Sequence, residues 1–159
     1  MNGEGRPLVC IVVNNLERGG AQALVLNYLR ADAGSRFRYR VLTLGSPNDL
    51  RDDIRSLGIE VDKLAIGSSL DSRKLKKLTE YFKQLRPSIV HAHTGLTSIM
   101  CRLATLPFSD VHHIDHYHST FMRKPFDVNR EIEASLSSRN SKAIACSQGV
   151  ADFTLNDIG

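Results

Sequence analysis

"LVCIVV" (Leu8–Val13) followed by "NNLERGGAQALVLNYL" (Asn14–Leu29) decides how the rest of this 159-residue chain is read. The first run is continuously apolar and rich in β-branched residues, and Leu8–Asn14 reads as a buried strand. The second passes through a glycine pair into a segment with good helix formers, Ala21–Ala31. Two glycines where a strand hands over to a helix permit positive φ and leave no Cβ in the way. Backbone amides at a helix start can then approach an anion closely. The bland alternative is a tight turn with no ligand. The stretch contains neither G-x-G-x-x-G nor a following Gly-Lys-Ser/Thr, and the next strand ends in "LTLGSP" without an acidic residue. The dinucleotide fingerprint and the P-loop are therefore both disfavoured.

The same alternation continues along the chain. Strands are expected at Arg40–Leu44, at "IEVDKLA" (Ile59–Ala65), "SIVHAH" (Ser88–His93), "VHHIDHYH" (Val111–His118) and "KAIACS" (Lys142–Ser147). Helices are expected at Asp49–Leu57, at Asp71–Arg86, within Leu96–Leu106, at Val128–Ser138 and after Ser147. The Asp71–Arg86 pattern is the clearest: Leu75, Leu78, Phe82 and Leu85 share one face, Asp71 can cap the start and Pro87 ends it. A β-α-β-α order predicts an α/β fold, a Rossmann-like parallel sheet with helices on both faces. With strand order 3-2-1-4-5-6, ligands belong at the carboxyl ends of strands one and four. The glycine loop and the ends of "SIVHAH" and "VHHIDHYH" then meet at one rim.

Composition excludes several classes. Hydrophobic residues make up 42% and charged residues 24%, ordinary values for a globular chain with a core. Tryptophan is absent and aromatics are 6%, which argues against a stacking platform for nucleic acid, and no nucleic-acid partner is expected. The net charge of +4 suits anionic ligands without choosing among them. Three scattered cysteines make neither a disulfide framework nor a zinc spacing, and no apolar run reaches the ~20 residues of a membrane span. A cytoplasmic setting is expected. The helix at 71–86 carries Arg73, Lys74, Lys76, Lys77, Lys83 and Arg86 against Asp71 and Glu80. A solvated outer face is the common explanation for such a helix, and peripheral docking on anionic membrane is the functional one.

Four of six histidines form two H-x-H pairs, His91/His93 and His116/His118. Strand alternation points each pair to one face. Two imidazole pairs can in principle bind a transition metal, but no matching carboxylate spacing accompanies them, and no metal is expected. His91 and His116 read as core residues satisfied by hydrogen bonds. His93 and His118, at the rim, are placed to donate to a phosphate or sugar hydroxyl or to stabilise developing charge. His112 and His113, at the opposite strand end, read as surface residues.

Taken together, "GGAQALVLNYLRA", "LRPSIVHAHTGLTSIMCRLA", "DHYHSTF" and "KAIACSQGVADFTL" resemble the N-terminal domain of a glycosyltransferase of family 4, built on the GT-B fold. The resemblance runs in order over nearly the whole chain, with Ser88 where the family commonly has Asp. It implies that Gly19, Gly20 and Gln22 approach the donor diphosphate or the acceptor. It places His118 by the reacting sugar as the catalytic residue, and His93, Thr94, Ser119 and Ser147 along the same cleft. It implies transfer from a nucleotide-sugar donor to a sugar or lipid-linked acceptor, with retention and without cofactor or metal. A second Rossmann-like domain would hold the nucleotide and a Glu-x7-Glu motif. Residues 1–159 are accordingly expected to be one acceptor-side domain, catalytically incomplete unless a C-terminal domain is supplied in trans. A non-catalytic Rossmann-like binding or partner domain is the alternative.

Overall fold

Leu8–Val13 forms the central strand β1, and all of it but Leu8 is buried. In the computed structural model its neighbours are β2 (Arg38–Thr43) on one side and β4 (Ile89–His93) on the other. Beyond them lie β3 (Glu60–Lys63), β5 (His112–Tyr117) and β6 (Ser141–Ala145). The six strands are all parallel in the order β3-β2-β1-β4-β5-β6, the expected doubly wound arrangement. The structure describes residues 5–32, 36–67, 69–93, 95–120, 131–132, 135–136 and 141–158. The helix expected at Val128–Ser138 lies outside these, apart from helical backbone at 131–132 and 135–136.

Among the described residues the helices with full bounds are α1 (Gly20–Asp32), α2 (Arg51–Arg55), α3 (Ser72–Leu85), α4 (Gly95–Thr105) and α5 (Gln148–Ile158). Asp71 caps α3 as its sequence suggests, accepting from the amides of Arg73 at 2.8 Å and Lys74 at 3.3 Å. Those two amides hold its carboxyl below the usual carboxylate range. At the other end Arg86 takes a left-handed conformation and Pro87 follows, so the helix cannot continue. Leu78 and Phe82 are its buried residues, with Leu75 and Leu85 partly buried against the same core. Arg73, Lys76, Lys77, Lys83 and Arg86 are exposed.

Strand alternation divides the core in two. Val9, Ile11 and Val13 of β1 pack with Val25, Leu26 and Leu29 of α1 and Ile54 of α2. Cys10 and Val12 pack on the opposite face with Leu78 and Phe82 of α3 and Met100, Cys101 and Ala104 of α4. Each fully buried Ile or Leu of this kind contributes about 1.5–3 kcal/mol of transfer free energy. On β5 the same parity turns His113 and Asp115 toward α4. Asp115, 2% exposed, accepts from Ser98 Oγ and from the guanidinium of Arg102, whose Nε lies at 3.0 Å. His113 is likewise buried, with its Nε2 at 2.7 Å from Thr105 Oγ1, whereas His112 is exposed. The surface position expected for His113 is therefore incorrect. Its strand end is peripheral, but α4 covers the face it occupies.

Candidate functional site

In a parallel sheet every crossover helix starts at the carboxyl rim, so α1, α4 and α5 all direct their N-termini there. Register fixes how the strand ends line up. Val12 is level with Ala92, so Val13 and His93 end side by side. His93 pairs directly with His116, which leaves His118 beyond the end of β5. Tyr117 pairs with Ala145, so Cys146 and Ser147 follow at the same rim.

The loop from Asn14 to Gly19 is pinned from below and braced from within. Leu16 is fully buried; its amide donates to Pro47 O at 3.0 Å and its carbonyl accepts from Leu50 at 3.1 Å. Gln22 Nε2 donates to Asn15 Oδ1 at 3.1 Å, and the Glu17 amide reaches the same oxygen at 3.3 Å. Gln22 thus serves the loop's own shape. Neither Gly19 nor Gly20 has a positive φ, so conformational freedom is not why they are glycines. A Cβ at Gly19 would meet the Gln22 side chain, its Oε1 at 2.9 Å, and one at Gly20 would meet nothing within 4 Å. The described interior makes no demand for a glycine at 20, and at 19 only the Gln22 side chain would have to give; the pair leaves the start of α1 bare.

Beside this loop four imidazoles gather on the face of the sheet that α1 covers. His91 and His93 are alternate residues of β4; His116 on β5 and His118, just past that strand's end, continue the set. His93 Nδ1 lies 2.8 Å from His118 Nε2. The rings of His93 and His118 stack at 5.0 Å, those of His116 and His118 at 4.3 Å, and those of His91 and His116 at 5.5 Å. His91, His93 and His116 are 7%, 2% and 7% exposed, and His118 is half-buried. His93 therefore lies beneath the rim rather than on it, while His118 reaches the surface.

Burial is the main influence on all four rings. It disfavours the charged form, and neighbouring imidazoles add to it, so the pKa of His93 is pushed down to about 2 and those of His91 and His116 to about 4. His118 is also lowered, by burial alone. The set is neutral at pH 7. A neutral imidazole has one donor and one acceptor nitrogen, so the His93–His118 bond fixes the tautomer of both rings together. The internal hydrogen bonds expected for His91 and His116 are not made: His91 Nε2, His93 Nε2 and His116 Nδ1 are buried and have no partner among the described residues. Three like side chains packed against one another cannot all find complementary groups in an apolar surround.

Of the other residues expected along the cleft, Ser147 is engaged as the cap of α5, accepting from the Val150 amide at 3.3 Å, and remains exposed. Ser119 is exposed next to His118. Thr94 lies outside the described residues. The Cys146 thiol donates to the His118 carbonyl at 3.4 Å, tying β6's end to the same corner, a contact that strand spacing alone does not reveal.

Comparison with known proteins bears on the fold and the family. EpsF of Bacillus subtilis (strain 168), provisionally named a glycosyltransferase, is 27% identical over 154 residues, covering 89% of this chain and 39% of that protein. Among solved structures, a Listeria monocytogenes protein provisionally named a UDP-N-acetylglucosamine 2-epimerase superposes with a TM-score of 0.67 at 16% identity, over 96% of this chain and 42% of that one. Acinetobacter baumannii MurG superposes with a TM-score of 0.61 at 14% identity, over 91% of this chain and 42% of that one. The chain thus spans about two-fifths of these relatives, and the structural likeness shows the shared fold. The profile of Glycosyltransferase Family 4 matches residues 18–159, and the chain belongs to that family.

Proposed function

We propose that this domain forms the acceptor-side wall of a retaining glycosyltransferase that moves a sugar, most simply a hexose, from a nucleotide-sugar to a glycan, lipid-linked or small-molecule acceptor. The observation that supports this most is the pairing of His118 with His93 beside the bare, glycine-lined start of α1. In the proposed reaction the anomeric C–O bond to the diphosphate breaks, the acceptor hydroxyl oxygen bonds to the same carbon on the same face, and its proton passes to the departing phosphate oxygen. Negative charge develops on the leaving diphosphate, which the amides of Gly20 and Ala21 at a helix N-terminus suit. His118, neutral and with its Nε2 occupied by His93, presents its other ring nitrogen to a sugar hydroxyl. Ser119 and Ser147 line the acceptor side.

A diphosphate also needs cationic partners, and the four imidazoles are held neutral. We assign that role to a second domain that closes over this rim, and the 159-residue chain by itself is expected to bind donor weakly. The exposed basic face of α3 would let the protein rest on anionic membrane, in keeping with cytoplasmic polysaccharide assembly. Equal partitioning with neutral and anionic liposomes would remove that element alone.

The deciding experiment titrates UDP- and GDP-sugars against this chain, alone and with a family 4 C-terminal domain supplied in trans, and follows transfer to sugar acceptors. Binding and transfer only in the combined sample support the proposal. Absence of both in every combination would leave a non-catalytic binding domain.

A further inference from the structure

We infer that His91, His93 and His116 form a binding site for one divalent transition-metal ion of the zinc or cobalt type, which goes beyond the proposed transfer reaction. Three observations carry it. The ligand atoms of these imidazoles all lie within 4.8 Å of one another. His91 Nε2, His93 Nε2 and His116 Nδ1, one on each ring, are buried and without a hydrogen-bond partner. The three rings border a cavity of about 140 Å³ whose opposite wall is Leu24, Val25 and Tyr28 of α1.

The donor set suits such an ion. Two histidines at i, i+2 on one strand and a third directly across on its neighbour present imidazoles to one face. This leaves a fourth position for water or another ligand, the composition of an open three-histidine site. Tetrahedral coordination at about 2.0–2.1 Å places the nitrogens roughly 3.3 Å apart. Closing from the present spacing requires side-chain rotation within the cavity, with no change in strand register. A neutral imidazole offers a lone pair, which an ion needs and a buried proton donor does not supply.

The fourth histidine fits as the outer partner. If Nε2 of His93 holds the ion, its Nδ1 must carry the proton and donate to His118 Nε2 across the observed 2.8 Å. A ligating histidine commonly has its other nitrogen fixed in this way, and the contact sets ring orientation. His118 would then carry its own proton on Nδ1. The apolar wall on α1 limits competition from solvent, and imidazole-only ligation selects zinc, cobalt, nickel or copper over magnesium or calcium.

The test uses the full 159-residue chain, stripped with chelator, and Zn²⁺ or Co²⁺ alone as probe. One equivalent of Zn²⁺ should remain after gel filtration, and Co²⁺ should give visible ligand-field bands of tetrahedral intensity that Zn²⁺ abolishes. His91→Gln and His116→Gln should each weaken Zn²⁺ binding by about a hundredfold or more, since loss of even an outer partner costs roughly 10–100-fold. His112→Gln, at an exposed position, should bind as wild type does. Circular dichroism establishes that each variant is folded. Failure of the wild-type chain to retain one equivalent, or retention undiminished in a folded His91→Gln/His116→Gln double variant, overturns the assignment. Neither readout involves glycosyl transfer, so the outcome is independent of the proposed reaction.

Discussion

His93 Nδ1 and His118 Nε2 lie 2.8 Å apart although 25 residues separate them in the chain. The contact depends on the parallel register of β4 and β5, which sets His93 beside His116 and puts His118 at the corner above. One ring of the pair is 2% exposed and the other half-buried, so the buried member orients the accessible one. An imidazole held this way loses little freedom on meeting a substrate, which is the advantage of a prepositioned group over a mobile one.

His118→Ala should therefore lower kcat by about 10²–10³ in the enzyme assembled with a C-terminal domain, with KM for the donor changed far less. Steady-state kinetics on both substrates measure this. An equal rise in KM with kcat intact would assign His118 to binding instead. Because His118 is half-buried at a strand end, the variant should unfold within a few degrees of wild type.

Gly20→Ala separates the needs of the fold from those of the site. The added methyl would meet nothing within 4 Å, and no positive φ opposes it. Fewer unfolded conformations should leave the variant as stable as wild type or about 0.4–1 kcal/mol more stable. If the bare amides serve the diphosphate, the same methyl should reduce kcat/KM for the donor about tenfold to a hundredfold. Denaturant unfolding paired with donor kinetics checks both halves. A stabilised variant with full activity would show that the glycine pair faces no ligand.

The sheet was legible because short β-rich runs alternate with longer amphipathic segments, and each long crossover between such runs forces parallel neighbours. The rim was legible for the same reason: connectivity alone brings the ends of β1, β4 and β5 together. Register was not, since no local signal in "SIVHAH" or "VHHIDHYH" says which histidine meets which. The column of four rings and its unpartnered nitrogens emerge only once His93 is set against His116. His113 was misread because burial at a strand end depends on the helix above, and α4 extends to Thr105. Nor does composition reveal that Gly19 and Gly20 keep ordinary φ, since glycine is compatible with either role.

Arg102 and Asp115 form an interior ion pair, 7% and 2% exposed at their side chains, with Ser98 as a further donor. Arg102→Met strands a buried carboxylate and should cost about 3–5 kcal/mol. Arg102→Met combined with Asp115→Leu removes both charges and should recover much of that loss. Chemical denaturation of the three proteins measures the difference. A double variant as unstable as the single one would show that the pair contributes specific packing beyond charge balance. Since Asp115 adjoins His116 on β5, the single variant should also perturb the imidazole column.

Acid should destabilise the fold through buried His113. Burial, with the nearby Arg102 charge acting the same way, pushes the pKa of His113 down to about 4 from 6.5. The unfolded chain therefore binds a proton that the folded chain refuses between these values. Stability from this group is fully present above pH 6.5 and declines as pH falls toward 4. At pH 5 the loss for one such histidine is on the order of 1–2 kcal/mol. Thermal midpoints in chelator-containing buffers from pH 7.5 to about 4.5 should fall accordingly. His113→Gln keeps a hydrogen-bonding group opposite Thr105 Oγ1 but cannot titrate, so its profile should be flatter over that window. Parallel profiles for variant and wild type would show that His113 takes up its proton in the folded state without opening α4 from β5.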